Sequence, residues 1–572
     1  MFEKKYKSEF FCLKSEINNN SVNVCILYYN YRYNKQGCIM SDINSLILQG
    51  KCSLGIEFGS TRIKAVLIDP TNFAPVAQGS HEWENRLENG LWTYHIDDIW
   101  GGLQHCYSEL VKDVKEKYKA DLKAVASLGI SAMMHGYMAF DKDDNHLAQF
   151  RTWRNSNTTK AAEILTDTFQ FNIPERWSIS HLYQCILDKE EHVKNVAFLT
   201  TLAGYVHYKL TGQKVLGIGD AAGMFPIDSY TKNYNEKYLM QFNEILAKEN
   251  MPYKLEELLP KVLCAGDNAG TLTEQGAKLL DPTGNLQPGC ILCPPEGDAG
   301  TGMVATNSVA VRTGNVSAGT SIFAMVVLEK ALSKLHREID NVTTPDGMQV
   351  AMVHANNCTS DLNAWVGLFA DFLKVANIKM DMNTLFKTLY EEALNNGAKD
   401  CDGIISYGYF SGENITSVPE GRPLLARMPN SNFNIANLFR ANLYTSLGAI
   451  KLGMNILKSE QVKIDKLLGH GGLFKTPRVG QSIMADALNT PVWVMTTAGE
   501  GGAWGIAVLA AYSVQNTKNE SLSEFLDNNV FKDAVGEKID PDKAGSDGFD
   551  KFLERYVLCL GIEKQAVSCL KR

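Results

Sequence analysis

Two short stretches decide the fold: CSLGIEFGSTRIKAVLID, residues 52–69, and NVSAGTSIFAMVVLE, residues 315–329. Each stretch reads as a β-rich run, a turn of small residues and a second β-rich run. The two turns are Gly59-Ser60-Thr61 and Gly319-Thr320-Ser321. Such turns between apolar runs are typical of hairpins. Two similar hairpins so far apart in one chain indicate two related domains.

Around these hairpins the chain alternates β-rich runs with amphipathic helical runs, which predicts an α/β protein with mixed sheets. The predicted strands are Ser53–Phe58, Ile63–Asp69, Ala124–Ser131, Tyr137–Asp141, Val309–Thr313, Ile322–Glu329 and Val492–Met495. The predicted helices are Ile96–Tyr118, Thr159–Phe169, Ala197–Leu210, Asp361–Ala376, Met382–Asn395, Ile435–Leu457, Pro477–Ala487 and Gly502–Tyr512. We expect 516–548 to be a solvated connection and 549–570 to be one last helix.

The composition limits the class of protein. The chain has 572 residues, 45% of them hydrophobic, and a formal net charge of −8, which argues against nucleic-acid binding. It contains no apolar run long enough to predict a membrane-spanning helix. Thirteen scattered cysteines, an odd number with no secretory signal before them, predict free thiols and a cytoplasmic protein. Residues 1–39 are rich in Asn, Tyr and Lys, and we expect a disordered arm or an over-extended start there.

The two hairpin turns are candidate phosphate-binding sites. Small side chains let a phosphate approach the backbone, and a concave set of N–H groups favours an anion. Turns from two domains could hold a triphosphate from opposite sides, although each turn alone could be an ordinary hairpin. Near the first turn, Glu57 could bind Mg²⁺ and Lys64 could offset phosphate charge. Either side chain could instead face solvent at the end of its strand.

Asp298, in PPEGDAGTGMVA, is the candidate general base. It follows a strand-like run and is flanked by Gly297 and Gly300, which would leave its carboxylate open to a substrate. A sugar hydroxyl must lose a proton as it attacks phosphorus, and a positioned carboxylate can accept that proton. An isolated Asp at the start of a helix is more often a structural cap.

Other candidates surround this acid along the chain. Met134-His135 end an apolar strand, where a His can bond a hydroxyl, and Trp153 offers an apolar face to a sugar ring. Asp220 lies in GIGDAAG, whose spacing is too loose for a dinucleotide site. GHGGLFKTP at 469–477 and EGGAWG at 500–505 are Gly-rich turns before helices, where a base or phosphate could lie on the backbone.

Several common motifs are absent from the sequence. There is no Walker A loop, no protein-kinase motif set and no nucleophile elbow. One C-x-x-C pair, Cys290 and Cys293, has no second pair or His cluster to complete a zinc site.

The order of these motifs from Cys52 to Tyr512 resembles the FGGY carbohydrate kinases, of the sugar kinase/heat-shock-70/actin superfamily. LGIEFGSTRIKAVLID and SAGTSIFAMV resemble the two phosphate motifs, GISAMMHGYMAFD with FRTWRN the sugar-binding stretch, and EGDAGTGMVA the segment of the catalytic Asp. YFSGE, GHGGLFKTPRVGQSIMADALNTPVWV and EGGAWGIAVLAAY resemble the C-terminal signature and the adenosine region.

The resemblance implies two ribonuclease-H-like (actin-like ATPase) domains with mixed sheets flanked by helices and a cleft between them. It implies a sugar-binding domain over 52–307 and a nucleotide-binding domain over 308–572, including the C-terminal helix. Asp298 would be the base, and Mg²⁺ would lie at Glu57 and Asp298. ATP would bind at Gly59, Ser60, Thr61, Lys64, Gly319, Thr320, Ser321, Gly471, Gly472, Glu500, Gly501 and Gly502. The sugar would bind at Met134, His135, Trp153 and Asp298.

The Met-His-Gly stretch is similar to that of xylulokinases and favours a pentulose such as D-xylulose, with ribulokinase- or gluconokinase-type specificity as alternatives. Two departures from the family pattern bear on substrate: Glu57 stands where the family has Asp, and Asn155 replaces an Asp, which would remove the charge from one sugar contact. They leave open a non-catalytic sugar- or ATP-binding regulator on the same scaffold. An actin- or chaperone-like ATPase is a third possibility. The resemblance also suggests a homodimer.

Overall fold

The first hairpin forms the centre of a mixed sheet in the computed structural model, which describes residues 43–495 and 501–571. Its strand Ser53–Phe58 is almost fully buried, pairs antiparallel with Arg62–Ile68 and parallel with Ser127–Ala132. The order across this sheet is Pro75–Glu82, Arg62–Ile68, Ser53–Phe58, Ser127–Ala132 and Ile291–Leu292, with Glu296–Gly297 also paired to Ser127–Ala132.

The second hairpin lies at the centre of another mixed sheet. Here Thr313–Ala318 pairs antiparallel with Ile322–Val327 and parallel with Lys466–His470. The order across this sheet is Ile339–Thr343, Gln349–Ala355, Ile322–Val327, Thr313–Ala318, Lys466–His470, Val492–Met495 and Gly536–Ile539. The central strands of both sheets therefore follow one connection pattern, and the prediction of two related α/β domains is confirmed.

Helices flank both sheets, and the described residues also form five pairs of short strands outside them. The α-helices are Ile96–Tyr118, Thr159–Phe169, Ser178–Leu187, Leu202–Thr211, Ile218–Ala221, Glu236–Lys248, Leu255–Leu258, Glu274–Leu280, Asp298–Ala305, Ser360–Val375, Met382–Asn396, Ile435–Ser459, Val479–Leu488, Gly501–Gln515, Leu522–Phe525, Lys543–Leu558 and Leu560–Cys569, after a short helix at 43–48. The paired short strands are Arg86–Glu88 with Leu91–Thr93, Met138–Phe140 with Phe198–Thr200, Ile227–Asp228 with Asn233–Tyr234, Ile404–Tyr407 with Leu424–Arg427, and Val215–Gly217 with Lys261–Leu263.

Two predicted elements are wrong in their bounds. The strand predicted at Val309–Thr313 begins only at Thr313, because Arg312 has a left-handed backbone (φ 66°) that interrupts an extended run. The helix predicted at Ala197–Leu210 is a strand, Phe198–Thr200, followed by the helix Leu202–Thr211. Thr201 separates the two because its side chain accepts a hydrogen bond from the Gly204 backbone and caps the helix.

The prediction that 516–548 is a solvated connection is also wrong. This segment contains the helix Leu522–Phe525, a strand that completes the second sheet and the start of the helix Lys543–Leu558. Leu522 and Phe525 are buried in the core, so the polar composition of the segment hid a few anchoring apolar residues. The single last helix predicted at 549–570 is divided at Cys559 into two helices.

In sequence, the helix Gly501–Gln515 lies between two strands of the second sheet, Val492–Met495 and Gly536–Ile539. It packs on the first sheet, where the Cα of Gly55 faces the backbone of Ala503 so closely that a Cβ there would lie 2.2 Å from the carbonyl oxygen. The Trp504 indole N–H also donates to the Phe73 carbonyl at 2.7 Å. This helix therefore brings its N-terminal glycines to the end of the first strand, where the predicted site begins.

Candidate active site

Asp298 is the first residue of the helix Asp298–Ala305, and its side chain is half-buried. Gly297 is the cap of this helix and has no side chain, so the carboxylate does not act as an N-cap. Its Oδ1 instead accepts a hydrogen bond of 3.2 Å from the backbone N–H of Met134, which follows the central strand Ser127–Ala132. The predicted base and the predicted sugar-binding stretch are thus in direct contact.

A second carboxylate, Glu57, lies beside Asp298. Burial, together with the smaller effect of the negative charge of Glu57, raises the pKa of Asp298 to about 7. Burial likewise raises the pKa of Glu57, while the positive charge of Lys64, its cross-strand neighbour, lowers it. Two neighbouring carboxyl groups that are partly shielded from water can accept a proton near neutral pH. They also suit a divalent cation.

Glycines at the start of the helix Gly501–Gln515 make room for Glu57. A Cβ on Gly502 would lie 2.2 Å from Glu57 Oε1 and 2.9 Å from the Thr301 hydroxyl. Gly501 has φ 76°, a conformation that favours glycine, and a Cβ there would lie 3.9 Å from Lys64 Nζ. Both glycines were predicted to contact ATP, and both lie at the Glu57–Lys64 pair.

Behind Asp298 lies a pair of buried acids, Asp220 and Glu296. Burial raises the pKa of Asp220 to about 7 and that of Glu296 to about 8. The backbone N–H of Asp220 donates to Glu296 Oε2 at 3.0 Å, and the Thr201 hydroxyl donates to Asp220 Oδ2 at 2.6 Å. Asp220 Oδ1 is buried with no hydrogen-bond partner in the described part of the chain, on the side of Gly297. These groups hold the turn that carries Asp298.

The predicted sugar-binding residues Met134 and His135 are buried at this turn. The Met134 side chain lies against Gly297, and His135 has a left-handed backbone (φ 68°) that turns the chain there. His135 Nδ1 lies 3.2 Å from the Gly223 carbonyl and its ring stacks on Trp177. Burial holds the pKa of His135 well below its usual value, so the ring is neutral, and Nδ1 must carry the proton that it donates.

Trp153 connects the predicted sugar side to the first phosphate turn. Its side chain is 36% exposed, and its indole N–H donates to the Ser60 hydroxyl at 3.2 Å. The same turn is fixed from behind, since Trp83 donates to the Gly59 carbonyl and Tyr94 donates to the Ser60 carbonyl. The turn is therefore held rigidly, with the exposed ring of Trp153 beside it.

Asn155 does not face the site, and the expectation that it replaces a charged sugar contact is wrong in this structure. Its Oδ1 accepts from the Trp92 N–H at 2.8 Å, and its Nδ2 donates to the carbonyls of Trp92 and Thr152. An amide can make this set of bonds, whereas a carboxylate has no donor for the two carbonyls. Asn155 fixes the loop that carries Trp153.

In the second domain, the turn Gly319-Thr320-Ser321 lies beside the Gly-rich turn at 471–472. Strand Thr313–Ala318 runs parallel to Lys466–His470, and a Cβ on Gly471 would lie 2.5 Å from the Ala318 carbonyl. Gly471 also has φ 101°, so this close approach requires glycine. The Gly319 carbonyl accepts hydrogen bonds from the Thr359 N–H and hydroxyl. Four predicted ATP residues are thus neighbours: Gly319, Thr320, Gly471 and Gly472.

The two predicted phosphate turns remain separate. Within residues 43–495 and 501–571, no hydrogen bond or ion pair joins the turn at 59–61 to the turn at 319–321. Glu500, predicted to lie near the adenosine, is outside the described residues.

Sequence reasoning missed three contributors. Glu296 has only a weak signal in the sequence, since it is an acid directly before the Gly-Asp pair. Thr301 has no signal in the sequence, although its hydroxyl lies 3.2 Å from that of Ser131. Arg176 forms an ion pair with Asp340 in the second sheet and links the domains beside His135. Arg176 and Asp340 are far apart in the chain, so only the fold could bring them together.

Comparisons with known proteins identify the family of the chain. Residues 52–283 match the N-terminal domain of the FGGY family of carbohydrate kinases, and residues 314–514 match its C-terminal domain. A xylulose kinase from Haemophilus influenzae is 24% identical over 88% of this chain and 98% of its own length. A ribulokinase from Staphylococcus aureus is 20% identical over 88% of this chain and 95% of its own length. The structure of a gluconate kinase from Lactobacillus acidophilus superposes with a TM-score of 0.72 at 17% identity, covering 91% of this chain and all of that one.

The chain therefore belongs to the FGGY family of carbohydrate kinases, enzymes that transfer phosphate from ATP to a sugar. Its fold is the actin-like ATPase fold of that family, as predicted. Across the described residues, no helix is both long and apolar enough to cross a membrane.

Proposed function

We propose that this protein transfers the γ-phosphoryl group of ATP to a hydroxyl of a ketose, and that the ketose is a pentulose such as D-xylulose. The observation that carries the proposal is the half-buried carboxyl of Asp298, bonded to the Met134 backbone and next to Glu57. The Met134-His135 pair at this position and the xylulose kinase relative support a pentulose.

In the proposed reaction the sugar hydroxyl oxygen bonds to the γ-phosphorus, and the bond from that phosphorus to its bridging oxygen breaks. Asp298 accepts the hydroxyl proton, for which a pKa of about 7 is well suited. ADP leaves with the bridging oxygen. His135, neutral and protonated on Nδ1, presents Nε2 as an acceptor to a sugar hydroxyl, and Trp153 covers an apolar face of the sugar.

The residues present fit a hard divalent cation. Glu57 and Asp298 are adjacent carboxyls whose negative charges oppose each other, and a cation between them would relieve that repulsion. We propose that these two acids hold Mg²⁺, which would offset phosphate charge when bound. ATP phosphates would lie at Gly59, Ser60, Thr61, Lys64, Gly319, Thr320 and Ser321, and the adenosine at Gly471, Gly472 and Glu500–Gly502.

We further propose that residues 52–307 form the sugar-binding domain and 308–572 the nucleotide-binding domain. The helix Gly501–Gln515, which packs on the first sheet, belongs to the second unit by sequence and would link closure of the two domains to the site. A cytoplasmic location is part of the same proposal.

The test is ADP release, measured with a coupled assay, over a panel of D-xylulose, other pentuloses, hexuloses, polyols and gluconate. We expect the highest kcat/KM with D-xylulose in wild-type protein. Asp298→Asn should abolish turnover, with a loss of at least 10³-fold, and leave ATP binding by calorimetry within a few-fold. Turnover that survives this change would remove Asp298 from its role.

Ribulokinase specificity is the second candidate, because a ribulokinase also matches most of the chain. It predicts a preference for ribulose over xylulose in the same panel. A regulator that binds without catalysis would show ATP binding but no sugar-dependent ADP release. The presence of Asp298 in bonded contact with the sugar-binding stretch argues against this third reading.

A further inference from the structure

Glu413 is a buried acid of the second domain that lies outside the site described so far. It follows the Tyr-Phe-Ser-Gly run at 409–412, and the residue is completely buried. Burial raises the pKa of Glu413 to about 7, although hydrogen bonds from Asn357 and from nearby backbone N–H groups lower it. A carboxyl group is costly to hold away from water, so the groups that it bonds indicate what it does.

The Glu413 carboxylate holds the loop 356–359, which joins a strand of the second sheet to the helix that follows it. Its Oε2 accepts hydrogen bonds from the Asn356 backbone N–H at 2.9 Å and from the Asn357 backbone N–H at 3.3 Å. The side-chain amide of Asn357 donates to the same oxygen at 3.2 Å. The Asn357 Oδ1 in turn accepts the backbone N–H groups of residues 410 and 411. The loop is therefore tied firmly to the segment that carries Glu413.

The same loop holds the second predicted phosphate turn. The Cys358 backbone N–H donates to the Thr320 carbonyl at 2.9 Å. The Thr359 backbone N–H donates to the Gly319 carbonyl at 3.1 Å, and the Thr359 hydroxyl donates to that carbonyl at 2.8 Å. Two consecutive carbonyls of the turn are thus fixed by two residues that directly follow the pair bonded to Glu413.

The bonded carbonyls decide where the free N–H groups of the turn point. A trans peptide unit is planar, so the C=O of one residue and the N–H of the next point in opposite directions. The carbonyls of Gly319 and Thr320 face the loop, and the N–H groups of Thr320 and Ser321 therefore face away from it. Neither N–H has an acceptor in the part of the chain that the structure describes. Both can donate to an anion on the far side of the turn.

We propose that Glu413 is a positioning residue for the phosphate groups of ATP. Through the loop 356–359 it fixes the carbonyls of the turn 319–321 and thereby aims the two free N–H groups at the nucleotide. The role needs no contact between Glu413 and ATP. It rests on the proposed function, since the ATP phosphates are proposed to bind at this turn.

The first test compares substitutions of Glu413 by the Kd of ATP, measured by calorimetry on the full chain. Glu413→Ala removes the acceptor of three N–H donors, and we expect the Kd to rise about tenfold or more, as for one lost hydrogen bond to a charged group. Glu413→Gln keeps an acceptor oxygen in place and should stay within about threefold of wild type. Glu413→Asp keeps the charge but withdraws it by about 1.5 Å, so it should resemble Glu413→Ala.

A second readout separates positioning from general support of the domain. Because the turn would hold phosphates, Glu413→Ala should leave the Ki of adenosine as an inhibitor, and the KM of the sugar, within about twofold of wild type. Equal weakening of ATP and adenosine would overturn the proposal. The matched control is Asp486→Ala. Asp486 is also buried in the second domain and accepts the Asp542 backbone N–H at 2.7 Å, and its loss should leave the Kd of ATP unchanged.

Thr359→Val tests the other end of the same connection and covers the case in which Glu413→Ala does not fold. It removes the hydroxyl bond to the Gly319 carbonyl but keeps the side-chain size and the backbone bond. We expect the Kd of ATP to rise about three- to tenfold, with the Ki of adenosine unchanged. If Thr359→Val and Glu413→Asp both bind ATP as tightly as wild type, the proposal is wrong.

The proposed function and the role of Glu413 fail in different ways. Wild-type protein that binds ATP but phosphorylates no sugar would contradict the proposed function alone, because the comparison of Kd values needs no sugar. Wild-type protein that phosphorylates a sugar, with variants that bind ATP unchanged, would contradict only the role of Glu413. Wild-type protein without ATP binding would overturn both.

Discussion

Gly502→Ala should damage catalysis much more than stability. Gly502 lies in the first turn of the helix Gly501–Gln515, directly against the carboxylate of Glu57. The new methyl group would begin 2.2 Å from Glu57 Oε1, whereas real Cβ atoms keep at least 3.0 Å from other heavy atoms. The carboxylate must therefore retreat by about 0.8 Å or more, and it can do so by rotating its side chain.

The size of both effects follows from this displacement. A shift of about 1 Å in a reacting or ligating group can cost on the order of 10²-fold in rate, so we expect kcat to fall about 100-fold. Overpacking costs about 1–3 kcal/mol, and alanine in a helix recovers about 1 kcal/mol, so the net loss of unfolding free energy should be about 0–2 kcal/mol. Catalysis and stability should therefore separate clearly.

The assay is coupled ADP release with the best sugar of the panel, beside urea unfolding of the same preparations. Gly101→Ala is the matched control, since a Cβ there meets nothing within 4 Å, and it should gain about 0.5–1 kcal/mol with unchanged kcat. Adding Glu57→Asp, which is one methylene shorter, to Gly502→Ala should restore part of the lost rate. A Gly502→Ala enzyme with kcat within threefold of wild type would refute the reasoning, because Glu57 would not need its present position.

Two other substitutions test the structure. Burial lowers the pKa of His207 from 6.5 to about 4, so the folded protein resists protonation, and stability should fall as the pH drops from about 6.5 to about 4. At pH 5 the buried His207 should lower the free energy of unfolding by about 2 kcal/mol relative to pH 7. In His207→Gln, the difference between the unfolding free energies measured in urea at pH 7 and pH 5 should therefore be smaller by about that amount. An unchanged pH response would contradict this prediction. Asn155→Asp should lose two donated hydrogen bonds and about 1–3 kcal/mol of unfolding free energy. An Asp variant of normal stability with tighter sugar binding would instead restore the idea of a sugar contact there.

The part of the fold that the sequence predicts well is the part with strong local signals. The strand Ser53–Phe58 and the helices Ile96–Tyr118 and Thr159–Phe169 match their predicted bounds because their apolar periodicity ends at clear breaks. The prediction of a strand at Val309–Thr313 is wrong because the backbone of Arg312 is left-handed, and arginine is not a residue type that signals such a break in a sequence. The prediction for residues 516–548 is wrong because a few buried apolar side chains anchor a segment whose overall composition is polar.

For the site, the sequence identifies residue types but not their partners. The sequence gives Asp298, Met134 and His135 as candidates because acids, Gly and His next to apolar strands stand out locally. The environment of Asp298 could not be predicted, since its pKa depends on burial and on Glu57, which is distant in the chain. Asn155 shows the converse: its position in a motif suggested a sugar contact, and its bonds to backbone carbonyls could be read only from the fold.

The helix Gly501–Gln515 explains why the parts of the site must act together. Its glycines face Glu57 at one end of the first sheet, and a Cβ on Gly505 would lie 2.2 Å from the Thr301 carbonyl in the helix that begins with Asp298. The same helix leads back through the chain to the second sheet, which carries the turn at 319–321. The helix contacts the elements that support both Glu57 and Asp298 without space for a methyl group. This tight packing ties the positions of the two acids to each other, so a displacement of one supporting element would disturb both acids, and catalysis that depends on positioned groups needs this mutual order.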